Sequence, residues 1–152
     1  MFADDTKISK VIVDKRDREE LQEDMYKLQK WSERWLLKFH PDKCVTMKLN
    51  NKGEEFHYRF NGHSDAPLLR EVQVEKDIGI YIDSRLEFDI HISDKINKAN
   101  NIFNLIRHSF QCLNERNFVP LFKSMVRPHL EQGNVVWAPY KKKYIDAIEN
   151  VQ

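Results

Sequence analysis

Seven apolar residues, Ile92, Ile96, Ala99, Phe103, Ile106, Phe110 and Leu113, recur at alternating steps of four and three. That spacing returns to one side of an α-helix at every turn, so it predicts a long helix after Leu86 with a continuous apolar seam. Such a seam needs helices to face it. Asn114-Glu115 can start the next one, which carries Phe118, Leu121, Phe122, Met125 and Val126. Pro120 is tolerable in its first turns, and Pro128 is expected to end or kink it. Lys141-Lys142-Lys143 then lead into a last segment with Tyr144, Ile145, Ile148 and Val151. Residues 84–152 are therefore expected to form a helical bundle.

The first half reads differently. Asp17-Arg18-Glu19-Glu20 has the spacing of a capping box, with Asp in place of Ser or Thr, and predicts a helix running to about Phe39. Leu21, Met25, Leu28, Trp31 and Trp35 give it one apolar stripe, expected to pack as core. Pro41 should end it, because the residue before a proline is pushed out of helical angles. Val45, Met47 and Leu49 alternate with polar residues over Cys44–Leu49, and Phe56, Tyr58 and Phe60 alternate up to Asn61-Gly62. A further extended segment from Val72 and Val74 reaches Ile80 or Ile82, so the middle of the chain is expected to be a small antiparallel sheet. The fold class is α+β. The change from strands to long helices near Ser84 divides it into domains 1–83 and 84–152.

Charge excludes little in bulk, since the net charge is +1. Its distribution says more: residues 1–83 hold 15 basic and 17 acidic groups, and residues 84–152 hold 10 and 7. The second half is the better candidate for binding a polyanion. Cys44 and Cys112 are too few and too far apart for a zinc pattern or a disulfide framework, so reduced thiols used in packing are expected. No secretory signal precedes Phe2, and no apolar run reaches membrane-spanning length. These features predict a soluble intracellular protein of the nucleus or cytoplasm, neither secreted nor membrane-bound.

Near the start, Phe2-Ala3-Asp4-Asp5 sets two adjacent carboxylates behind an aromatic and a small residue. With Val11-Ile12-Val13 following a short polar run, the stretch reads as a hairpin with Asp4 and Asp5 near its tip. Neighbouring anions repel unless a cation neutralises them, and carboxylate oxygens suit a hard cation such as Mg2+. The alternative is a solvated turn pair. Two-metal phosphoryl transfer also requires at least one further carboxylate from elsewhere in a fold.

The motifs have a distinctive order along the chain. Phe2-Ala3-Asp4-Asp5-Thr6-Lys7 comes first, then Trp31 to Trp35, then Lys38-Phe39-His40-Pro41-Asp42-Lys43-Cys44. Val74-Glu75-Lys76-Asp77-Ile78-Gly79-Ile80 is next, then Val126-Arg127-Pro128-His129-Leu130-Glu131 with Trp137-Ala138-Pro139, and finally Glu149-Asn150-Val151-Gln152. In this order, over essentially the whole chain, the sequence resembles the reverse transcriptase of non-LTR retrotransposons, especially jockey-like LINE elements. His40 stands where that family often has Asn.

The resemblance implies a partial polymerase palm, made of a catalytic hairpin, a long helix and a small sheet, followed by a helical thumb. It implies Asp4 as the main Mg2+ ligand, Asp5 beside it, and Lys43 near the leaving pyrophosphate, where a cation offsets developing negative charge. Taken without the family, Lys43 reads as an exposed turn lysine. Ile78, Gly79 and Ile80 correspond to the primer grip, with Gly79 either admitting the primer end closely or marking a bend in a strand. The thumb would hold an RNA template and DNA primer duplex through its phosphates. Lys95, Lys98, Arg107, Arg116, Lys123, Arg127, Lys141, Lys142 and Lys143 are the candidate contacts, their other reading being solvated helix faces. Trp137 could stack on a base but is more simply core, and His129 is structural. The dNTP site, the fingers and the first palm carboxylate motif find no match in residues 1–152, so polymerase activity is not expected of this stretch alone.

Two other readings remain. A non-catalytic nucleic-acid-binding or interaction relic would keep the same basic helices. His40-Pro41-Asp42 also resembles the loop of J-domain co-chaperones, although the period-two segment after it does not suit that fold. Exposed edges of a severed sheet would predict poor solubility.

Overall fold

The computed structural model describes residues 6–50, 56–60, 67–110 and 112–151. They form an α+β chain that divides into two units, Met1–Ile78 and Gly79–Gln152.

In the first unit, helix α1 spans Lys15–Arg34. Its cap is Asp14, whose carboxylate accepts the Asp17 N–H at 3.0 Å, while the Asp17 carboxylate accepts the N–H groups of Val13 and Asp14 at 2.8 and 3.2 Å. The capping box therefore lies three residues before the expected one, with Asp17 as its third helical residue rather than its cap. Both Asp14–Asp17 and Asp17–Glu20 have the spacing of a capping box, but the Glu20 carboxylate is taken by Lys10 and Arg16, while Asp14 and Asp17 close theirs reciprocally. The helix also stops early. Leu36 takes the left-handed conformation (φ 57°) and Leu37 N–H bonds back to the Ser32 carbonyl at 2.9 Å, so the chain leaves the helix before Pro41 can end it.

The apolar stripe of α1 is covered only in its first part. Leu21, Met25 and Leu28 are half-buried, whereas Trp31 and Trp35 are 42 % and 60 % exposed. The expectation that all five are core fails at the last two positions.

Pro41–Lys43 forms one 3₁₀ turn, and β1 (Val45–Thr46) pairs with β2 (Arg70–Glu71) in parallel, Val45 opposite Arg70 and Thr46 opposite Glu71. The expected strand over Cys44–Leu49 is thus two residues long, and its pairing is parallel rather than antiparallel. The 23 residues between these strands are long enough to carry the chain back for a parallel pairing. Within that stretch Arg59 makes an antiparallel bridge to Leu68. Edge-on ring pairs Phe39–Phe60 and Phe56–Tyr58, with centroids 6.3 and 4.9 Å apart, pack this region, and Tyr58 is buried. Strand β3 (Val74–Asp77) ends the unit, with Asp77 paired to Lys7 at 2.7 Å.

The second unit begins one strand earlier than the expected boundary at Ser84. Strand β4 (Ile80–Asp83) belongs with the helices because the Tyr81 N–H donates to His91 Nδ1 at 3.2 Å. Asp83 then shapes the entry to helix α2 (Asp89–Ser109): its carboxylate accepts the backbone N–H groups of Arg85, Glu87 and Phe88 at 3.0, 3.1 and 2.6 Å. These bonds hold Leu86 and Phe88 in left-handed conformations, φ 56° and 57°.

The seam of α2 is real. Ile92, Ala99 and Ile106 are buried at 2 %, 0 % and 2 % exposure, with Ile96 and Phe103 half-buried between them. Phe110 and Leu113 fall outside the helix. Ala99 and Ile106 share a core with Val126 and Leu130, against which Leu121, Phe122, Ile148 and Val151 also pack.

Helix α3 (Glu115–Leu121) starts at Asn114, whose side chain accepts the Asn117 N–H. It passes through a π turn (Phe122–Val126) into α4 (Arg127–Glu131) without stopping at Pro128. The Arg127 N–H reaches back five residues to the Phe122 carbonyl. That wider turn gives the proline ring its place, which is why Pro128 does not terminate the helix. Helices α5 (Asn134–Trp137) and α6 (Lys142–Glu149) complete the unit.

Cys44 is partly buried, which pushes its thiol pKa up, but Cys112 is exposed rather than a packing residue.

Candidate nucleic-acid interface

Asp4 and Asp5 lie outside the described residues. Among the described residues no group of three or more His, Cys, Asp or Glu side chains could hold a metal. Lys43 is exposed at the end of the 3₁₀ turn, where its backbone N–H bonds the His40 carbonyl at 3.0 Å. His40 Nδ1 lies 3.9 Å from Asp42, and the His-Pro-Asp turn leads into strand β1 rather than a helix.

Ile78 and Gly79 form the two-residue turn between β3 and β4, with φ 48° and 81°. Both central residues of such a turn need positive φ, which glycine adopts freely and a β-branched residue does not. Ile78 is nonetheless there, 67 % exposed. Gly79 serves the turn, and a Cβ on it would meet only Gln132 Nε2 at 3.6 Å. Ile80 is half-buried.

The nine candidate cations of the second unit divide by environment. Lys95 is buried at 5 % exposure and donates to Gln132 Oε1 at 2.9 Å, so it sits inside the fold rather than on a binding surface. Lys141 bridges Glu87 and Asp89 at 2.7 and 2.8 Å. Its ammonium pKa is held up by the hydrogen bonds to Asp89 and Glu87, and Asp89 is correspondingly held below the ordinary carboxylate range. Lys98 and Arg127 are tied to Asp94 and Glu131 one turn away, at 2.7 and 2.6 Å. These three cations have close, hydrogen-bonded acidic partners, which leaves less of their charge for a polyanion.

Arg107, Arg116, Lys123, Lys142 and Lys143 remain on the surface. Arg107 lies over the Phe103 ring, 5.8 Å from its centroid, and Lys143 over Tyr144 at 4.4 Å, with Asp89 at 3.7 Å. Each keeps a charged head in solvent above an aromatic face. Trp137 is core, 2 % exposed, with its Nε1–H donating to the Gln132 carbonyl at 2.7 Å.

One cluster escaped the sequence reading. His91, Lys95 and Trp137 are buried in the second unit, with the His91 and Trp137 rings 5.2 Å apart and both Lys95 and Trp137 bonded to the exposed Gln132. The available signal was spacing: positions 91 and 95 flank seam positions 92, 96 and 99 on the same side of α2, where burial of a titratable side chain could be expected.

No helix among the described residues is long and apolar enough to cross a membrane. No family model, curated protein or solved structure matches the chain.

Proposed function

We propose that residues 1–152 are the end of the palm and the thumb of an RNA-directed DNA polymerase of the non-LTR retrotransposon class, and that this stretch alone binds nucleic acid without polymerising it. The observation carrying this reading is the fixed order of its motifs, from Phe2-Ala3-Asp4-Asp5 through Val74–Ile80 to Val126–Glu131 and Trp137-Ala138-Pro139. Their character adds support. Val126, Leu130 and Trp137 are core residues, so that signature is explained by building a helical unit rather than by chemistry.

In a complete enzyme of this class, Mg2+ ions would neutralise the charge that develops as a primer 3′ oxygen displaces pyrophosphate. Asp4 and Asp5 have suitable oxygen donors, but two carboxylates do not make such a centre, and no catalytic step is assigned to this chain. Its own contribution is phosphate contact. Arg107, Arg116, Lys123, Lys142 and Lys143 are the residues proposed to make it.

The test is fluorescence anisotropy with a labelled RNA:DNA duplex over a range of salt, beside an incorporation assay with dNTP and Mg2+. Binding is expected to fall with salt, with a log–log slope no steeper than about −4.5, since each neutralised phosphate contributes about −0.9 on duplex DNA. Changing the five exposed cations to Gln should flatten that slope. Absence of duplex binding at low salt would refute the binding role. Template-dependent incorporation would refute the claim of inactivity.

A further inference from the structure

The second unit keeps a histidine where a second proton is disfavoured. His91 lies in the first turn of α2 with no exposed surface. Its Nδ1 accepts the Tyr81 N–H at 3.2 Å, which requires the neutral ring to carry its proton on Nε2. Nε2 is buried and has no hydrogen-bond partner among the described residues. The ring packs edge-on against Trp137, with centroids 5.2 Å apart, and tilted against Tyr81 at 6.4 Å.

A second proton would have to enter at Nδ1, where the Tyr81 N–H already points. Donor would then face donor. The surroundings also oppose a positive charge. Lys95, one turn along α2, is itself buried, and its Nζ donates to Gln132 Oε1 at 2.9 Å. Lys98 adds a further cation; Asp94 is the opposing carboxylate, but it is paired to Lys98 at 2.7 Å. Tyr81 faces the ring from β4, and α5 contributes the uncharged Trp137. The first turn of a helix is itself a positive environment.

We infer that His91 is an acid-releasable latch within the second unit: the neutral ring fastens β4 to α2 and seats Trp137, and protonation ejects it, freeing the Tyr81 amide and exposing the indole. Burial, followed by the Lys95 charge, lowers the pKa of the seated ring to about 4, against an ordinary value of 6.5. The released form therefore takes up the proton first. As the pH falls from about 6.5 to about 4, the ratio of released to seated forms rises up to tenfold per unit, and by about 300-fold in all. Below that window both forms are protonated and the ratio levels off.

The chain carries three tryptophans, so Trp31→Phe with Trp35→Phe, both at exposed positions, leaves Trp137 as the only emitter. In that background, Trp137 emission and the His91 imidazole resonances are followed from neutral pH down to about pH 4. The expected result is a red shift of Trp137 as the pH falls, absent in His91→Asn, whose Oδ1 can accept the Tyr81 N–H and does not titrate. Should His91→Asn fail to fold by circular dichroism, Lys95→Gln serves instead. Removing that charge should raise the seated ring's pKa and move the red shift to lower pH. An acid response unchanged in the folded variant would overturn the latch, as would a His91 ring titrating at its ordinary value with Trp137 unmoved.

Discussion

Gln22 grips both backbone groups of Arg59: its Nε2 donates to the Arg59 carbonyl at 2.8 Å and its Oε1 accepts the Arg59 N–H at 2.9 Å. Arg59 stands opposite Leu68, and the bonds of that bridge are made by its neighbours, Phe60 N–H to Pro67 O and Leu69 N–H to Tyr58 O. The N–H and carbonyl of Arg59 therefore face away from Leu68. The Gln22 side-chain amide pairs with them as a second strand would.

Gln22→Ala should consequently destabilise the first unit by about 2 kcal/mol, since two part-buried backbone groups lose their partners together. Urea unfolding and hydrogen exchange at the Arg59 amide would check it. Unchanged protection of that amide would show that its burial does not depend on Gln22.

Ile78 is the wrong residue for its turn. With φ 48° it bears the left-handed penalty while exposed to solvent, with no burial to offset it. Ile78→Asn, which tolerates that conformation, should raise stability by about 1 kcal/mol, measured as an increase in Tm. A drop in Tm would mean that the isoleucine side chain makes a stabilising contact.

Gly133 is held for two separable reasons. Its φ is 71°, and an added Cβ would come within 2.8 Å of Ile80 Cδ1. Gly133→Ala is expected to cost about 2 kcal/mol. In an Ile80→Val background, which removes the clashing methyl, the same change should cost only the backbone part, about 1 kcal/mol. A full thermodynamic cycle by urea denaturation would show whether the two costs separate in this way.

Lys141 ties α6 to the start of α2 through Glu87 and Asp89. Because the Lys141 hydrogen bond holds Asp89 below its ordinary pKa of 3.8, this stabilisation is present above that value and is lost as the pH falls through the lower folded value. Lys141→Met should lower stability at neutral pH, less so at high salt, and flatten the loss at strongly acid pH. The window assigned to His91 lies higher, so the acid response above about pH 4 should be unaffected. Melting curves at matched pH and salt distinguish the two.

The candidate site was legible in kind more than in detail. Arg107, Arg116, Lys123, Lys142 and Lys143 are surface cations, as basic residues in polar flanks should be. Nothing in sequence spacing separated them from Lys141, whose partner Glu87 is 54 positions away, or from Lys95, whose partner Gln132 is 37 away. Long-range pairing has no local signature.

What the sequence by itself determined are the features made by neighbours along the chain. The four-and-three spacing of Ile92, Ile96, Ala99, Phe103 and Ile106 specifies the buried side of α2, and the run after Asp17 marks a helix even though its cap lies at Asp14. Only the tertiary structure decided which apolar residues are covered. Trp31 and Trp35 continue the stripe of α1 yet remain exposed, while Trp137, with no periodic pattern around it, is fully enclosed beside His91. It also decided that Pro128 lies within a helix, through the π turn before it, and that β1 meets β2 in parallel. The physical reason is range: periodicity and caps act within one or two helical turns, whereas burial and strand partners depend on segments that meet only after the chain has folded.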